Sequence, residues 1–146
     1  MNKNPKLMLI GAAFLIALMM LTPAHAYLLN NFDEKHGTYS SVYVGVAGNY
    51  VGGKLGAPAA YVRGVIDVLI PGGYPLRVYY YFEWEDMNHH IFHKDGYVEI
   101  ADIQGNWVRI PATGLNNSVY YIVAEGQTWI NGNYDTELAS ASLPWL

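Results

Sequence analysis

The sequence contains no cysteine. Disulfide bonds, cysteine metal ligands, a thiol nucleophile and a lipidated cysteine are therefore all excluded. We expect the folded chain to be stabilised by the burial of apolar surface, unless a metal ion or a partner contributes. The length permits this, since a domain of this size buries about two thirds of its unfolded surface.

Basic residues are also few. Eight Lys and Arg residues stand against 12 Asp and Glu residues, which gives a formal net charge of -4. Proteins that bind nucleic acid present a basic surface to the phosphates, and attraction to anionic membranes needs clustered basic residues. The composition therefore predicts no nucleic-acid partner and no association of the mature protein with a membrane.

The one long apolar run lies at the N-terminus. Lys3 and Lys6 precede residues 7–21, which are all uncharged and mostly apolar. This run of about 15 residues is shorter than the roughly 20 that a membrane-spanning helix requires. Its length and flanking charges are typical of a secretory signal peptide, so we expect residues 1–26 to be removed.

The cleavage site is predicted at Ala24-His25-Ala26, where small residues occupy the positions one and three before the cut. Cleavage there would remove both leader lysines and leave a mature chain with six basic and twelve acidic residues, hence a net charge of -6. We expect a secreted protein, extracellular or held at the cell surface without a covalent or lipid anchor.

The mature chain shows the periodicity of β-strands and no convincing helix. Residues 76–85 give the clearest alternation, with Leu76, Val78 and Phe82 on one side and polar or aromatic residues on the other. Frequent turn signals separate short strands of this kind. We predict an all-β fold, a single antiparallel β-sandwich of jelly-roll or immunoglobulin-like type with about seven or eight strands. A closed barrel is the alternative.

Turn residues divide this domain. Residues 27–40 are expected to form an extended arm and residues 41–146 the sandwich. The predicted connections are an irregular segment at 86–93, a turn at Lys94-Asp95-Gly96 and a type I′ hairpin at Asn131-Gly132. Strands at 97–103 and 107–110 are predicted to pair with each other.

An aromatic stripe lies on the outward side of the clearest strand. Tyr79 and Tyr81 alternate with the core residues, beside Arg77. Aromatic rings bordered by polar groups stack on sugar rings or anchor a protein partner. Trp107 and Trp129 are candidate members of the same binding surface. The alternative is ordinary cross-strand packing of tyrosines on a sheet.

Imidazoles and carboxylates are concentrated between residues 85 and 93. His89, His90 and His93, with Glu85 and Asp86, are the types of ligand that zinc prefers, and calcium is a second candidate. Their spacing matches no zinc or calcium motif, and the alternative is a solvated polar loop. We expect no cofactor, with this cluster as the hypothetical exception.

No motif in the sequence specifies a reaction. A G-x-S-x-G nucleophile turn is absent, and carboxylate pairs occur in any acidic β domain. Asn116-Asn117-Ser118 is an N-glycosylation sequon.

The leading hypothesis is therefore a secreted non-enzymatic protein that acts through surface contacts, by self-association, adhesion or partner binding, with a toxin-like effector in the same class. The alternatives are a carbohydrate-binding module and a metal-binding protein. The expected partner is a second copy, another extracellular protein or a glycan.

Overall fold

The computed structural model describes residues 27–101, 107–112 and 117–144, and the predicted signal peptide lies outside them. The described chain is all-β, which confirms the predicted class, apart from a single 3₁₀ turn at Pro71–Gly73. Within these ranges no helix is long and apolar enough to cross a membrane. The strands are β1 (Tyr27–His36), β2 (Ser40–Val51), β3 (Lys54–Ile66), β4 (Leu76–Asp86), β5 (Ile91–Ile100), β6 (Trp107–Ala112), β7 (Val119–Ile130), β8 (Asn133–Tyr134) and β9 (Ala139–Leu143).

These strands form one antiparallel sheet with the order β1-β2-β3-β7-β4-β5. β6 pairs with β3, while β8 and β9 pair with β7. Most neighbours share a long register, but β3 and β7 are joined by the single pair Leu55 and Val119. The predicted antiparallel arrangement is confirmed.

The core is a single cluster of buried side chains that come from strands throughout the sheet. Alternate residues of β2 and β4 point into it, and Val42, Val44, Val78 and Phe82 have no exposed surface. β7 comes close to β2 and β3 at Gly126, because a Cβ atom there would lie 2.6 Å from a methyl carbon of Val62. The alternation read from the sequence therefore predicts the buried side of these strands correctly.

The chain reverses direction between β4 and β5 earlier than the sequence suggested. Lys94-Asp95-Gly96 was predicted to be a turn, but it is part of β5, and the reversal lies between Asp86 and His90. The Asp86 side chain accepts hydrogen bonds from the backbone N–H groups of Asn88 and His90, each at 2.9 Å. This aspartate caps the reversal. The irregular segment predicted at 86–93 is therefore confirmed for residues 87–90 only, since residues 91–93 belong to β5, and the predicted turn at 94–96 is wrong.

Among the described residues, the pairing predicted between strands 97–103 and 107–110 is also wrong. β5 pairs with β4, and β6 pairs with β3 over Ala60 to Val65. The early reversal places β5 antiparallel to β4, where Gly96 leaves room for the ring of Tyr80. By contrast, Asn131 and Gly132 have φ values of 48° and 81°, as a type I′ hairpin requires, and this prediction is confirmed.

Within residues 27–40, expected to form an extended arm, residues 27–36 form β1. This strand pairs with β2 over its full length. On its buried side, the Asn31 amide donates to the carbonyl oxygen of Ser142 at 3.1 Å, and Asp33 accepts from the N–H of Ser140 at 3.1 Å. Two side chains thus connect β1 to β9, where no backbone ladder does.

The close approach at Gly126 predicts that Gly126→Ala destabilises the fold. The added methyl group would overlap Val62 and press on Val42 and Val44, so we expect a loss of about 1–3 kcal/mol in the free energy of unfolding. Urea denaturation measures the loss. Gly56→Ala is the control, since its Cβ would meet nothing closer than 3.5 Å. Equal stability of both variants would contradict the proposed close packing.

Candidate binding face

The outward side of β4 lies between β5 and β7, and the register brings three strands of polar and aromatic side chains together. Tyr79 is opposite Tyr97 on β5 and opposite Gln127 on β7. Tyr81 is likewise opposite Asp95 and Glu125. Since opposite residues of an antiparallel pair share one face, these side chains form a common surface, here called the outer face.

Four aromatic rings run across the outer face from strand to strand. The ring centroids of Tyr97 and Tyr79 are 5.2 Å apart, those of Tyr79 and Trp129 are 5.8 Å apart, and those of Trp129 and Tyr134 are 6.0 Å apart. Tyr97 and Tyr134 at the two ends are 48% and 62% exposed. This aromatic row crosses β5, β4, β7 and β8.

An open groove of about 590 Å³ lies beside the aromatic row. Its walls combine aromatic rings with two carboxylates and one amide. The lining residues are Tyr79, Tyr80, Tyr81, Asp95, Gly96, Tyr97, Glu125, Gly126, Gln127, Trp129 and Leu138. A shallow site of this composition can hold a ligand by ring stacking and by hydrogen bonds from ligand hydroxyl or amine groups.

Polar side chains contact two rings of the aromatic row, Trp129 and Tyr97. The indole N–H of Trp129 donates to Gln127 at 3.2 Å, and the Gln127 amide in turn donates to the carbonyl oxygen of Thr136 at 3.1 Å. Arg77 donates to Glu99 at 2.9 Å, and its guanidinium lies 4.6 Å from the ring centroid of Tyr97. Gln127 and Arg77 therefore position rings.

Glu83 is the anchor of a second hydrogen-bonded group on the outer face. Its carboxylate accepts the hydroxyl of Tyr81 at 2.6 Å and that of Tyr121 at 2.7 Å. These two hydrogen bonds lower the pKa of Glu83 below its usual range. The same bonds raise the pKa of Tyr81 and the pKa of Tyr121 to about 12, because losing the proton would place two negative charges together.

The structure brings four of the five predicted binding residues together. Arg77, Tyr79, Tyr81 and Trp129 share the outer face. Trp107 lies on β6, which pairs with β3, and its backbone is opposite Val65. Its part in the binding surface stays a prediction.

Sequence reasoning missed the contributions of β5 and the middle of β7. Tyr97, Asp95, Glu125 and Gln127 line the groove, yet Asp95 was placed in a turn. The signal that could have located them is the Asp86-x-Asn88 pair, which is typical of a chain reversal. With the reversal there, alternation along the following strand places Asp95 and Tyr97 beside the tyrosines of β4.

The histidines of the predicted metal cluster have separate partners. His89 lies 2.8 Å from a carboxylate oxygen of Glu85 and stacks on Tyr120, and His90 lies 3.8 Å from Asp86. Among the described residues no three His, Asp or Glu side chains are grouped as metal ligands. Zinc or calcium binding here stays a prediction from sequence.

The third histidine belongs to the outer face. The ring of His93 stacks on Tyr81 with a centroid distance of 6.0 Å, and its Nε2 atom lies 3.9 Å from Asp95. His93 therefore supports one wall of the groove from β5.

No family model matches the chain, and neither a curated protein nor a solved structure is detectably similar to it. The functional assignment therefore depends on the chemistry of the outer face.

The Glu83 group predicts the alkaline titration of the protein. In Glu83→Gln, Tyr81 and Tyr121 lose their charged acceptor, so we expect two of the 13 tyrosines to ionise nearer to pH 10 than to pH 12. Tyrosinate absorbance measures this shift in ionisation, and it is recorded at pH values below those at which the protein unfolds in alkali. Glu34→Gln removes a charge from β1 and is the control. Superimposable curves for wild type and Glu83→Gln would refute the assignment.

The same group predicts a change in acid stability. A lowered pKa in the folded state means that Glu83 contributes stability above its unfolded pKa and that this contribution is lost as the pH falls through the folded pKa. We expect wild type to be more stable than Glu83→Gln near neutrality and the difference to shrink as the pH falls from neutrality to below 4.5, the ordinary pKa of a glutamate. Urea denaturation across this range provides the measurement, and a constant difference would exclude the linkage.

Proposed function

We propose that the chain is a secreted, non-enzymatic binding protein that acts through the outer face and that its ligand is a carbohydrate. The observation that carries the proposal is the aromatic row, with four rings from neighbouring strands beside an open groove. Secretion is inferred from the predicted signal peptide in residues 1–26.

The chemistry of the groove favours a sugar over other small ligands. A pyranose presents C–H groups on its faces and hydroxyl groups around its edge. The rings of Tyr79 and Tyr97 offer apolar surface for the faces, while Asp95 and Glu125 accept hydrogen bonds from hydroxyl groups. The groove is open, unlike the enclosed apolar cavities that surround most of a drug-like ligand.

We also propose that the sheet is folded over as a β-sandwich, with β1, β2, β3 and β6 in one layer and β4, β5, β7, β8 and β9 in the other. Two findings support this arrangement. Only Leu55 and Val119 pair across the junction of β3 and β7. In addition, Gly64 lies against Val78, and Gly126 against Val62, as in face-to-face packing. The outer face would then be one exterior surface of the sandwich.

Protein binding is the second candidate, including self-association and adhesion. Tyrosine, tryptophan and arginine are the residues that most often dominate protein interfaces, and the outer face has all three in Tyr79, Trp129 and Arg77. Sedimentation of the purified mature protein, alone and with candidate extracellular proteins, separates this candidate from the first.

Binding to a glycan array tests the carbohydrate proposal. We expect the mature protein to bind a defined group of glycans. Tyr97→Ala should lose about tenfold or more in affinity, because an aromatic side chain that stacks on a flat ring, such as a nucleic-acid base, contributes about 1–3 kcal/mol. Phe32→Ala is the matched control: this ring is 41% exposed but lies on β1.

Two results would count against the proposal. Absence of glycan binding would refute the carbohydrate assignment. Hydrolysis of a bound oligosaccharide, detected as newly formed reducing ends, would refute the non-enzymatic assignment and would point to Asp95 and Glu125 as the acid and base.

A further inference from the structure

We infer, on the basis of the proposed carbohydrate-binding function, that the outer face selects a linear oligosaccharide of amino sugars, bound across the strands along the aromatic row. The direction of the row determines the orientation of the ligand, and the charges beside it determine its class.

The aromatic row is longer than one sugar ring. Its rings come from β5, β4, β7 and β8, and neighbouring strands lie about 4.8 Å apart, so the row extends for roughly 14 Å. A monosaccharide would contact one or two of these rings. A linear oligosaccharide lying perpendicular to the strands would contact the whole row from Tyr97 to Tyr134, which favours a chain over a single sugar.

The carboxylates beside the row make the groove negative. Asp95 and Glu125 face the groove from opposite sides of Tyr81. The adjoining Glu83 is held as a carboxylate by two tyrosine hydroxyls, at 2.6 and 2.7 Å. Three negative groups therefore surround Tyr81 on neighbouring positions of three strands.

The basic groups of the outer face do not offset this charge in the groove. Arg77 is paired with Glu99 at 2.9 Å. His93 lies 3.9 Å from Asp95 and adds positive charge only when protonated. Uronic acids and sulfated sugars would be repelled by Asp95 and Glu125, whereas a protonated amine would be attracted to them. Amino sugars match both the aromatic row and the charge.

Calorimetric titration with three oligosaccharides of matched length tests the inference. The probes are oligomers of glucosamine, which are cationic, of N-acetylglucosamine, which are neutral, and of galacturonic acid, which are anionic. We expect the cationic oligomer to bind about tenfold more tightly than the neutral one, since each exposed carboxylate contributes at most a few-fold. Binding of the anionic oligomer should be undetectable, and affinity should increase with chain length.

The double variant Asp95→Asn and Glu125→Gln should lose the preference for the cationic oligomer over the neutral one, because both carboxylate charges in the groove are removed. Glu34→Gln, which removes a charge from β1, should keep the preference. Equal affinity for all three probes, or a preference that survives in the double variant, would overturn the selectivity and leave carbohydrate binding intact. Failure of every probe to bind, with silence on the glycan array, would overturn both.

Discussion

The close packing of β7 on β2 and β3 at Gly126 is the constraint on which the outer face depends. Val42, Val44 and Val62 all lie within about 3.1 Å of where a side chain at this position would begin. With the inner side of β7 filled in this way, residues of opposite parity must point outward. Glu125 and Gln127, the two neighbours of Gly126, are therefore placed on the outer face by the packing of the core.

Gly126 also helps to fix the orientation of β4. Tyr80 is opposite Gly96 on β5 and opposite Gly126 on β7. Its hydroxyl end lies over Gly96, where a Cβ atom would be only 2.7 Å away. A large inward ring between two glycines holds Tyr79 and Tyr81 in the outward orientation, because slipping the register by one residue would bring charged and polar side chains into the core.

A hydrogen-bonded group of buried and half-buried polar side chains connects distant parts of the chain, as disulfides do in many other domains. Asp135 accepts from the N–H of Tyr39 at 3.0 Å and from the hydroxyl of Ser40 at 2.6 Å. Ser40 also contacts Thr128, which bonds to Thr136. These bonds connect the start of β2 to the segment after β8. The Ser40–Thr128 and Thr128–Thr136 bonds are buried, so water competes little with them and they are strong points of attachment.

Prediction from the sequence was accurate where the pattern lies within a single strand or turn. Alternation in β4 identified both Phe82 as core and Tyr79 as outward, and Asn131-Gly132 identified a hairpin, because a local pattern determines each. Pairing between strands was predicted poorly, since it depends on the exact residue at which the chain reverses. Because the chain reverses at residues 86–90 and not at residues 94–96, β5 pairs with β4.

Under the proposed function, a ligand would meet groups of the outer face that the protein already holds in place. Gln127 holds Trp129, Glu99 holds Arg77, and Glu83 holds Tyr81, so the rings are ordered by bonds within the protein. Ordering side chains on binding costs about 0.5–1.5 kcal/mol for each flexible side chain, and this arrangement avoids much of that cost. In the proposed complex the rings would supply contact area at low entropic cost, while Asp95 and Glu125 would supply the polar discrimination. A change to the rings should therefore alter affinity, and a change to Asp95 or Glu125 should alter selectivity.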